Sequence, residues 1–433
     1  MSKSKMTSWV MSLVAVVLMV GLLLPACAPS AEKGEEVVIK VGQLQALTGP
    51  SATECGPISM AVMDSFRLLN ERREIFSDLP LGGTVKLLTE DHRWDTALEV
   101  QLVHKQVESD QCVTIVSCTT AGAYNCKDYL TEMRVPYLTQ SSPECIIPMD
   151  TGYTFLYLYS YPQASIAELE WALDKWEKEG KTGKPTVALF GMDTSFARQM
   201  AMTVKKYCEE NGIEIVATVW NGGAPIEVAT QVRTCKEAGA DIVFGGQLGG
   251  PLVIISKEMA IQGYKPWQVL SHPCLNDTTL FKTAGQDEIG WATFQGHYQW
   301  EDTDVPGIRK WIALAKEWHP LNTKPEVTLG PMYIHGAVSG MIAAKAIYNT
   351  VMKHGWQGVT RDTVKEGYES IKNFTGLGGE FAPISYGPGQ HIAMNSVAIY
   401  QVLPSGDRMG PVTEFIPCPP WNKDWEDPEY WKW

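Results

Sequence analysis

Hydroxyl side chains gather after two neighbouring strand-like segments in the first half of the chain. Thr119 and Thr120 follow one apolar run, and Ser141 and Ser142 follow the next. Hydroxyls beside the free N–H groups of a helix start can hold a carboxylate or a similar polar group of a ligand. Each loop also has a simpler interpretation as a helix cap, but two such loops at successive strand ends favour a binding site.

The usual signatures of catalysis are missing from this sequence. Residues 180–185 have the glycines and lysine of a phosphate loop without its spacing, and they precede a strand-like run instead of following one. His272 and Cys274 flank Pro273, but neighbouring residues of an extended segment point apart, which disfavours a Cys–His pair. We therefore expect no enzyme, no catalytic residue, no metal and no cofactor. A secreted hydrolase that uses Cys274 or a hydroxyl remains the alternative from another class.

Strand-like and helix-like segments alternate through the first two thirds of the chain. The predicted strands are 37–42, 85–89, 113–116, 136–138, 185–190, 214–219, 241–244 and 268–270. The predicted helices include 56–73, 96–109, 196–211, 226–238 and 250–262. This alternation predicts parallel sheets with helices on both faces, and its two series predict two α/β lobes.

The last third of the chain has a different pattern. A long helix is predicted over 331–354, followed by a pair of strands within 376–403 that turn at Gly387-Pro388-Gly389. The tail from 417 to 433 is rich in tryptophan and proline and shows no regular element. We expect it to pack across a lobe, because exposed tryptophans reduce solubility.

Five aromatic residues alternate with period two in one extended segment, namely Tyr153, Phe155, Tyr157, Tyr159 and Tyr161. One interpretation is that this aromatic face packs into the core of the first lobe. The other is that the far end of the segment lines a cleft and stacks on an apolar or aromatic ligand.

The N-terminus indicates export and attachment to a membrane. Lys3 and Lys5 precede an uncharged apolar stretch, 9–24, which is short for a membrane span. The stretch ends in Leu24-Pro25-Ala26-Cys27, which is similar to a bacterial lipobox. We predict a signal peptide over 1–26, a lipid on the thiol of Cys27 and a flexible tether over 27–36. An uncut membrane-anchoring helix is the alternative.

Charge and cysteine content restrict the partners further. The net charge is −13 and no basic stripe is present, which argues against nucleic acid as a partner. Ten cysteines are typical of an exported chain, and nine remain if Cys27 is acylated, so at least one thiol is unpaired. Cys208 and Cys235 fall near the ends of consecutive predicted helices, and we predict a disulfide between them.

Several of these segments carry a family resemblance. The strand that leads into Thr48-Gly49-Pro50 resembles the opening of the branched-chain amino-acid binding proteins of ABC importers. Thr119-Thr120 falls where that family has paired serines. The segments 193–197, 244–246 and 384–391 are similar to its second-lobe turn, a strand end and its C-terminal hairpin. The resemblance extends from about residue 37 to residue 403.

The resemblance implies the α/β type I periplasmic-binding-protein fold, with two Rossmann-like lobes that have parallel sheets and are joined by three crossovers. Lobe 1 would comprise 37–159 and 297–373, and lobe 2 would comprise 160–296 and 374–410, followed by a tail over 411–433. The implied function is to bind a small polar or carboxylate-bearing molecule in the cleft between the lobes and deliver it to ABC permease subunits. A sensor that signals to a membrane partner is the alternative within binding proteins.

Site residues follow from the same resemblance. The ligand carboxylate would be held by Thr119, Thr120, Ser141 and Ser142, and contacts from the second lobe would come from Phe196 and Gln247. The acid that pairs with the α-ammonium in amino-acid binders is replaced here by Pro273, next to the further candidate His272. Either Glu54 replaces this acid or the ligand has no ammonium, so we expect α-amino acids to bind poorly.

Overall fold

The structure is a computed structural model, and it describes residues 36–141, 152–271, 283–320, 329–420 and 422–427. The strands are β1 Val37–Gln45, β2 Gly83–Asp91, β3 Thr114–Ser117, β4 Tyr137–Thr139, β5 Thr154–Leu156, β6 Val187–Met192, β7 Ile215–Asn221, β8 Ile242–Gly245, β9 Gln268–Ser271, β10 Ala292–Gln295, β11 Ser396–Val402, β12 Met409–Pro411 and β13 Ile416–Pro417. The α-helices are α1 Ala52–Asn70, α2 Thr96–His104, α3 Thr120–Glu132, α4 Tyr161–Lys178, α5 Ser195–Glu210, α6 Ala229–Glu237, α7 Gly249–Ile261, α8 Pro306–Trp318, α9 Gly330–His354 and α10 Arg361–Glu369.

The strands form two sheets with the same order of connections. The first sheet has the order β2-β1-β3-β4-β5, and the second has the order β12-β11-β10-β9-β8-β6-β7. In each sheet the chain starts at an inner strand, moves outward to the next strand and then returns to pair on the other side of the first. The strand order therefore reverses between β1 and β3 and again between β6 and β8. These are the positions where open α/β sheets bind ligands.

Three passages connect the two sheets. After β5 the chain enters α4, which packs on β9, β10 and β11 of the second sheet. After β10 it enters α8, which packs on α9, and α9 packs along α1 and α10 beside the first sheet. After α10 it enters β11, which pairs antiparallel with β10. The predicted α/β fold with two sheets and three crossovers is confirmed.

Most of the predicted elements are present, with their ends shifted by a few residues. The predicted pair of strands within 376–403 is wrong: only β11 forms there, and the glycine turn is closed by a single bridge between Gly387 and Gln390. Helices α4, α8 and α10 were not predicted. The lobe boundaries given above stay a prediction.

The described part of the C-terminal tail packs on the second sheet, and it is more regular than predicted. β13 pairs with β11, and a 3₁₀ turn covers Lys423–Glu426. The amide of Gln163 in α4 donates to the Pro419 carbonyl at 2.9 Å, and the Trp425 side chain is buried. Within the described residues, no helix is long and apolar enough to cross a membrane.

The predicted disulfide between Cys208 and Cys235 is wrong, because both cysteines are free and buried. The reversal of strand order explains the error. Helix α5 carries Cys208 outward from β6 to β7, whereas α6 carries Cys235 back past β6 to β8. Right-handed crossovers in opposite directions lie on opposite faces of a sheet. Accordingly, α5 packs against α4, and Cys235 packs with residues of α7.

Helices α1 and α9 approach closely because glycines of α9 face the backbone of α1. A Cβ atom on Gly336 would lie 2.3 Å from the Ile58 carbonyl oxygen, and one on Gly340 would lie 2.8 Å from Val62 Cα. Because the obstacle at both positions includes backbone, it cannot rotate away. This contact fixes the first turns of α9, which carry His335.

We predict that Gly336→Ala lowers the free energy of unfolding by about 1–3 kcal/mol, because the added methyl overpacks the contact between α1 and α9. Urea unfolding would measure this change. Gly250→Ala is the matched control, since a Cβ there meets nothing within 4 Å. Equal stability of Gly336→Ala and wild type would contradict the proposed close contact.

Candidate functional site

A cavity of about 290 Å³ lies where the two sheets present the carboxyl ends of their inner strands. Its walls come from both halves of the fold, since residues after β1, β3 and β4 face residues after β6 and β8. The described residues that line it are Ser51, Glu54, Cys55, Ile58, Trp94, Thr96, Glu99, Cys118, Thr119, Thr120, Ala121, Gln140, Ser141, Tyr157, Tyr159, Tyr161, Thr194, Ser195, Phe196, Leu248, Met332 and His335. Both reversals of strand order therefore open into the same cavity.

The structure brings Thr119, Thr120 and Ser141 together at this cavity, but two of their hydroxyl protons are already used. Thr119 caps α3 by accepting from the Gly122 amide at 2.9 Å, and its hydroxyl donates to Glu99. The Ser141 hydroxyl donates to the Cys118 carbonyl at 2.7 Å. These two hydroxyls can therefore accept hydrogen bonds from a ligand, but they do not offer the protons that a carboxylate needs. The carboxylate-binding role of Thr119 and Ser141 stays a prediction, which would require these hydroxyls to exchange their present partners for the ligand.

Glu99 fills the place that the sequence suggested for a ligand carboxylate. It projects from α2, is fully buried, and accepts hydrogen bonds from Thr119 and, at 2.6 Å, from the Ser117 hydroxyl. Its carboxyl group lies against the first turn of α3, and a Cβ on Gly122 would come within 2.2 Å of both carboxyl oxygens. Because Gly122 has no side chain, the first turn of α3 leaves room for the buried carboxyl group, and the positive end of the helix dipole stabilises it. Sequence reasoning missed Glu99, because it lies inside a helix among ordinary polar residues.

Burial raises the pKa of Glu99 to about 7, although the hydrogen bonds from Ser117 and Thr119 oppose the rise. Its carboxyl group therefore changes charge near neutral pH at the cavity.

The loop that carries Thr48 is held by a hydrogen bond to Asp91, and Thr48 does not reach the cavity. Its hydroxyl donates to Asp91 at 2.7 Å, and Thr48 is not among the described lining residues.

Trp94 enters the cavity from a strained loop after β2. Arg93 and Trp94 both have left-handed backbones, with φ of 58° and 63°. Such conformations cost about 1 kcal/mol or more each for residues with a Cβ, and they cluster at functional sites. The Arg93 amide donates to Asp91 at 2.9 Å and the Trp94 amide donates to His92 Nδ1 at 3.2 Å, and these bonds hold the loop in place.

Glu54 connects the two halves of the fold across the cavity. It lies in the first turn of α1, and its carboxylate accepts a hydrogen bond from the Gly249 amide at 3.1 Å. Gly249 is the first residue of α7, and no side chain of its own segment caps that helix. The carboxylate of one half thus caps a helix of the other half, where the positive end of the helix dipole favours an anion. The Thr53 hydroxyl donates to the other carboxylate oxygen at 2.9 Å.

The alternating aromatic segment divides between the core of the first lobe and the wall of the cavity. Phe155 is buried in the first lobe, where it stacks on Tyr368 with ring centroids 4.7 Å apart. Beyond it, Tyr157, Tyr159 and Tyr161 line the cavity. The change from core to cavity occurs where β5 ends and the chain passes towards α4. Phe196, from the first turn of α5, lines the same cavity as these tyrosines, and its predicted contact with the ligand stays a prediction.

A chain of hydrogen bonds orients the imidazole of His335 at the cavity. His297 lies 2.9 Å from the Tyr298 carbonyl through Nδ1, which must therefore carry the proton. Its Nε2 then accepts from Nδ1 of His335 at 3.3 Å, and Nε2 of His335 accepts from the Tyr157 hydroxyl at 2.7 Å. Burial lowers the pKa of His297 to about 4, so this ring is neutral at physiological pH.

The remaining predicted site residues lie elsewhere or outside the described part. Gln247 is buried behind the wall, where its amide donates to the Phe190 carbonyl at 3.0 Å and to the Asn221 side chain at 2.8 Å. Its neighbour Leu248 lines the cavity instead. Gln247 therefore positions the wall, and its contact with the ligand stays a prediction. Ser142 and His272 lie outside the described residues, as does Cys27.

The charge of the cavity is one-sided. Glu54 and Glu99 line it, whereas no lysine or arginine is found among the lining residues that the structure describes. Over the same described ranges, no group of three or more histidine, cysteine, aspartate or glutamate side chains could hold a metal ion. The site consequently offers hydrogen-bond acceptors, aromatic faces and negative charge.

The chain belongs to the periplasmic binding protein family, whose sequence model matches residues 38–407. Solved structures show the same fold. A branched-chain amino acid ABC transporter protein from Thermus thermophilus with bound valine has 22% identity and a TM-score of 0.77, over 88% of this chain and 97% of that one. An ABC transporter substrate-binding protein from Aeropyrum pernix has 18% identity and a TM-score of 0.78, over 92% and 99%.

A third similar structure is an ABC transporter solute-binding protein from Rhodopseudomonas palustris in complex with 4-hydroxybenzoate, with 19% identity and a TM-score of 0.71 over 88% of this chain and 98% of that one. A search of curated proteins finds no significant match to this chain. At these identities the structural similarity establishes the type I periplasmic-binding-protein fold, which agrees with the prediction.

We predict that Glu99 makes stability depend on pH in a way that Glu99→Gln removes. The folded pKa of about 7 exceeds the ordinary value of 4.5, so the contribution of Glu99 is complete below pH 4.5 and is lost as the pH rises through 7. The free energy of unfolding of the wild type should fall by up to about 3 kcal/mol relative to Glu99→Gln over that range.

Urea unfolding at a series of pH values measures this difference. Glu237→Gln, the same change at an exposed position, is the control. A constant difference between Glu99→Gln and the wild type at every pH would contradict the shifted pKa.

Proposed function

We propose that this protein is the extracytoplasmic solute-binding subunit of an ABC importer, which binds a small molecule and delivers it to the permease subunits. The observation that carries the proposal is the single cavity built from both reversals of strand order, with walls from both halves of the fold. Its volume of about 290 Å³ suits a ligand the size of an amino acid. Membership of the periplasmic binding protein family supports the same function.

The contact between Glu54 and Gly249 supports a mechanism of closure. Proteins with two lobes and short crossovers enclose ligands by hinge motion. The Glu54 carboxylate reaches the first amide of α7 only when the two halves are together, so this bond belongs to the closed form. A ligand in the cavity would stabilise the closed form by contacting both walls.

The charge of the cavity restricts the class of ligand. An anion would enter beside the Glu54 carboxylate and beside Glu99, which becomes negative as the pH rises through its pKa of about 7, and no described lining residue is a lysine or arginine. Burying like charges without a counterion is costly. We infer that the ligand has no net negative charge and carries a hydrogen-bond donor, such as an ammonium group, towards the acceptors of the first lobe. Its apolar part would face the aromatic wall formed by Tyr157, Tyr159 and Phe196.

This inference reverses the expectation that α-amino acids bind poorly. That expectation depended on the loss of one acid near Pro273, which lies outside the described residues. Two other acids, Glu54 and Glu99, line the cavity, which supports the proposal, and Glu54 is the residue that the sequence offered as a replacement. An amino acid or an amine therefore suits the described walls better than a simple carboxylic acid.

The thiol–imidazole pair in the cavity does not support the function of a nucleophilic enzyme. Cys118 Sγ lies 3.3 Å from His92 Nε2, which is the distance of a thiol from its base. However, the Trp94 amide donates to Nδ1 of His92, so the proton must be on Nε2 and this nitrogen cannot accept one. Burial also lowers the pKa of His92 to about 4. The residue lacks the basicity of a catalytic histidine.

Attachment to the membrane is proposed from the sequence around Cys27. A diacylglycerol thioether on this thiol, followed by the tether 27–36, would keep the protein close to its permease on the extracytoplasmic face. The same anchor would serve a ligand sensor, which remains the alternative within binding proteins.

We predict that ligands with an amino group bind at least tenfold more tightly than their deaminated acids, which corresponds to about 1.4 kcal/mol. Calorimetry with matched sets would test this: leucine, isoamylamine and isocaproic acid, and phenylalanine, phenethylamine and hydrocinnamic acid. Glu54→Gln should weaken binding of the amino compounds, whereas Glu237→Gln should leave it unchanged. Tighter binding of the acids would refute the proposed ligand class. Absence of binding by all six compounds would refute both the aliphatic and the aromatic amines as ligands.

We predict that Cys27→Ser releases the exported protein from the membrane, because the substituted residue has no thiol to acylate. Detergent phase partitioning compares the variant with the wild type, and Cys55→Ser serves as a control that keeps the anchor. Equal membrane retention of Cys27→Ser and the wild type would favour the uncut apolar helix over lipidation.

A further inference from the structure

Two thiols lie next to each other in the wall of the cavity. Cys55 comes from the first turn of α1 and Cys118 from the loop after β3, and their Sγ atoms are 3.5 Å apart. The two residues are 63 positions apart in sequence and meet only because β1 and β3 are adjacent strands. Both line the cavity.

The two thiols differ in access. Cys118 is partly exposed, whereas Cys55 is buried. The other described cysteines, Cys112, Cys126, Cys208, Cys235 and Cys418, are all buried. Cys118 is therefore the described thiol that a small reagent in the cavity can reach first, and Cys55 is placed to react with whatever forms on it.

The hydrogen bonds assign different roles to the two sulfurs. Cys55 Sγ donates to Cys118 Sγ, and His92 Nε2–H points to the same sulfur at 3.3 Å because Nδ1 is occupied by the Trp94 amide. Cys118 Sγ is thus the acceptor of the pair, and the His92 N–H is the donor that favours negative charge on this sulfur during a reaction. The Ser51 hydroxyl lies 3.6 Å from Cys55 Sγ on the other side of the pair.

We propose that Cys55 and Cys118 form a reversible dithiol–disulfide site in the wall of the ligand cavity, oxidised by exchange with a small disulfide. The placement in an oxidising compartment rests on the proposed export. A disulfide requires the sulfurs to approach from 3.5 Å to about 2.05 Å.

The exchange occurs in two balanced steps. The Cys118 thiolate attacks one sulfur of the small disulfide, whose S–S bond breaks, and a mixed disulfide forms with release of one small thiolate. Cys55 loses its proton to solvent and attacks Cys118 Sγ, which releases the second small thiolate. The protein dithiol is oxidised to a disulfide, the small disulfide is reduced to two thiols, and both protons end on those thiols.

The surroundings make this exchange slow at neutral pH. The neighbouring Cys55 thiol, burial and the Glu99 carboxyl all raise the pKa of Cys118 well above its ordinary value. Few thiolates are therefore present at rest, and an oxidant must enter the cavity to react. A ligand that fills the cavity would shield the pair, so oxidation would act on the empty protein.

Oxidation would alter both acceptor groups of the first lobe. Cys55 follows Glu54, and Cys118 precedes Thr119, so a bond between the cysteines ties the start of α1 to the start of α3. It also removes the Cys55 S–H from the wall. The disulfide would thereby fix the spacing between Glu54 and the Glu99–Thr119 group on which the ligand rests.

The test uses the full exported protein, first reduced and then incubated with oxidised glutathione at about pH 8.5, where thiolates are more abundant. Peptide mapping without reductant should find Cys55 linked to Cys118 with loss of two hydrogen atoms, and dithiothreitol should restore both thiols. The Tm should rise by at least about 2 °C on oxidation, because the link closes a long loop.

Variants distinguish the order of the steps. Cys55→Ser should stop at a mixed disulfide between glutathione and Cys118, Cys118→Ser should leave Cys55 unmodified, and Cys208→Ser should still form the link. Unmodified Cys55 and Cys118 in the treated wild type would overturn the proposal. A stable mixed disulfide on wild-type Cys118, with Cys55 still free, would also overturn it. Mass spectrometry gives these results without any ligand. A negative result would therefore refute the dithiol site and would leave the proposed function, which calorimetry tests, unaffected.

Discussion

The whole site depends on one topological constraint, the reversal of strand order at an inner strand of each sheet. Strands β2 and β3 lie on opposite sides of β1. The helix that follows β1 and the helix that follows β3 therefore start at the same edge of the sheet but lie on its opposite faces. The same holds for β6, β7 and β8. The gap between such helix starts is the natural binding crevice of an open α/β sheet. Here two gaps face each other and enclose one cavity.

The helix starts around this cavity carry free N–H groups. At two of these helix starts, an acidic side chain of the protein lies beside the N–H groups. Glu99 lies beside the first turn of α3, and Glu54 reaches the first amide of α7 from the opposite half. A helix start that would otherwise attract an anionic ligand is thus already satisfied. The consequence is an inversion of the expected chemistry, since the walls now offer acceptors and negative charge.

Electrostatics and redox chemistry meet in the same few residues. Glu99 and the pair of thiols line the same cavity, and the Glu99 carboxyl contributes to the raised pKa of Cys118. The Thr119 hydroxyl connects Glu99 to the loop that carries Cys118. A change of charge or oxidation state at any of these groups would therefore be felt at the surface that the ligand contacts. Helix α9 adds His335 to this surface, and it can do so because Gly336 allows close packing on α1.

The sequence by itself determined the alternation of strands and helices, the positions of most elements and the convergence of Thr119, Thr120 and Ser141 after strand ends. Hydrophobic periodicity and turn residues carry that information locally. Only the tertiary structure decided which face of its sheet each helix occupies. The predicted disulfide between Cys208 and Cys235 was wrong for this reason. Likewise, no local pattern marks Glu99, Cys55 or His335 as site residues. Their roles arise from burial and from neighbours distant in sequence, and such contacts exist only once β1 and β3 have paired and α9 has packed on α1.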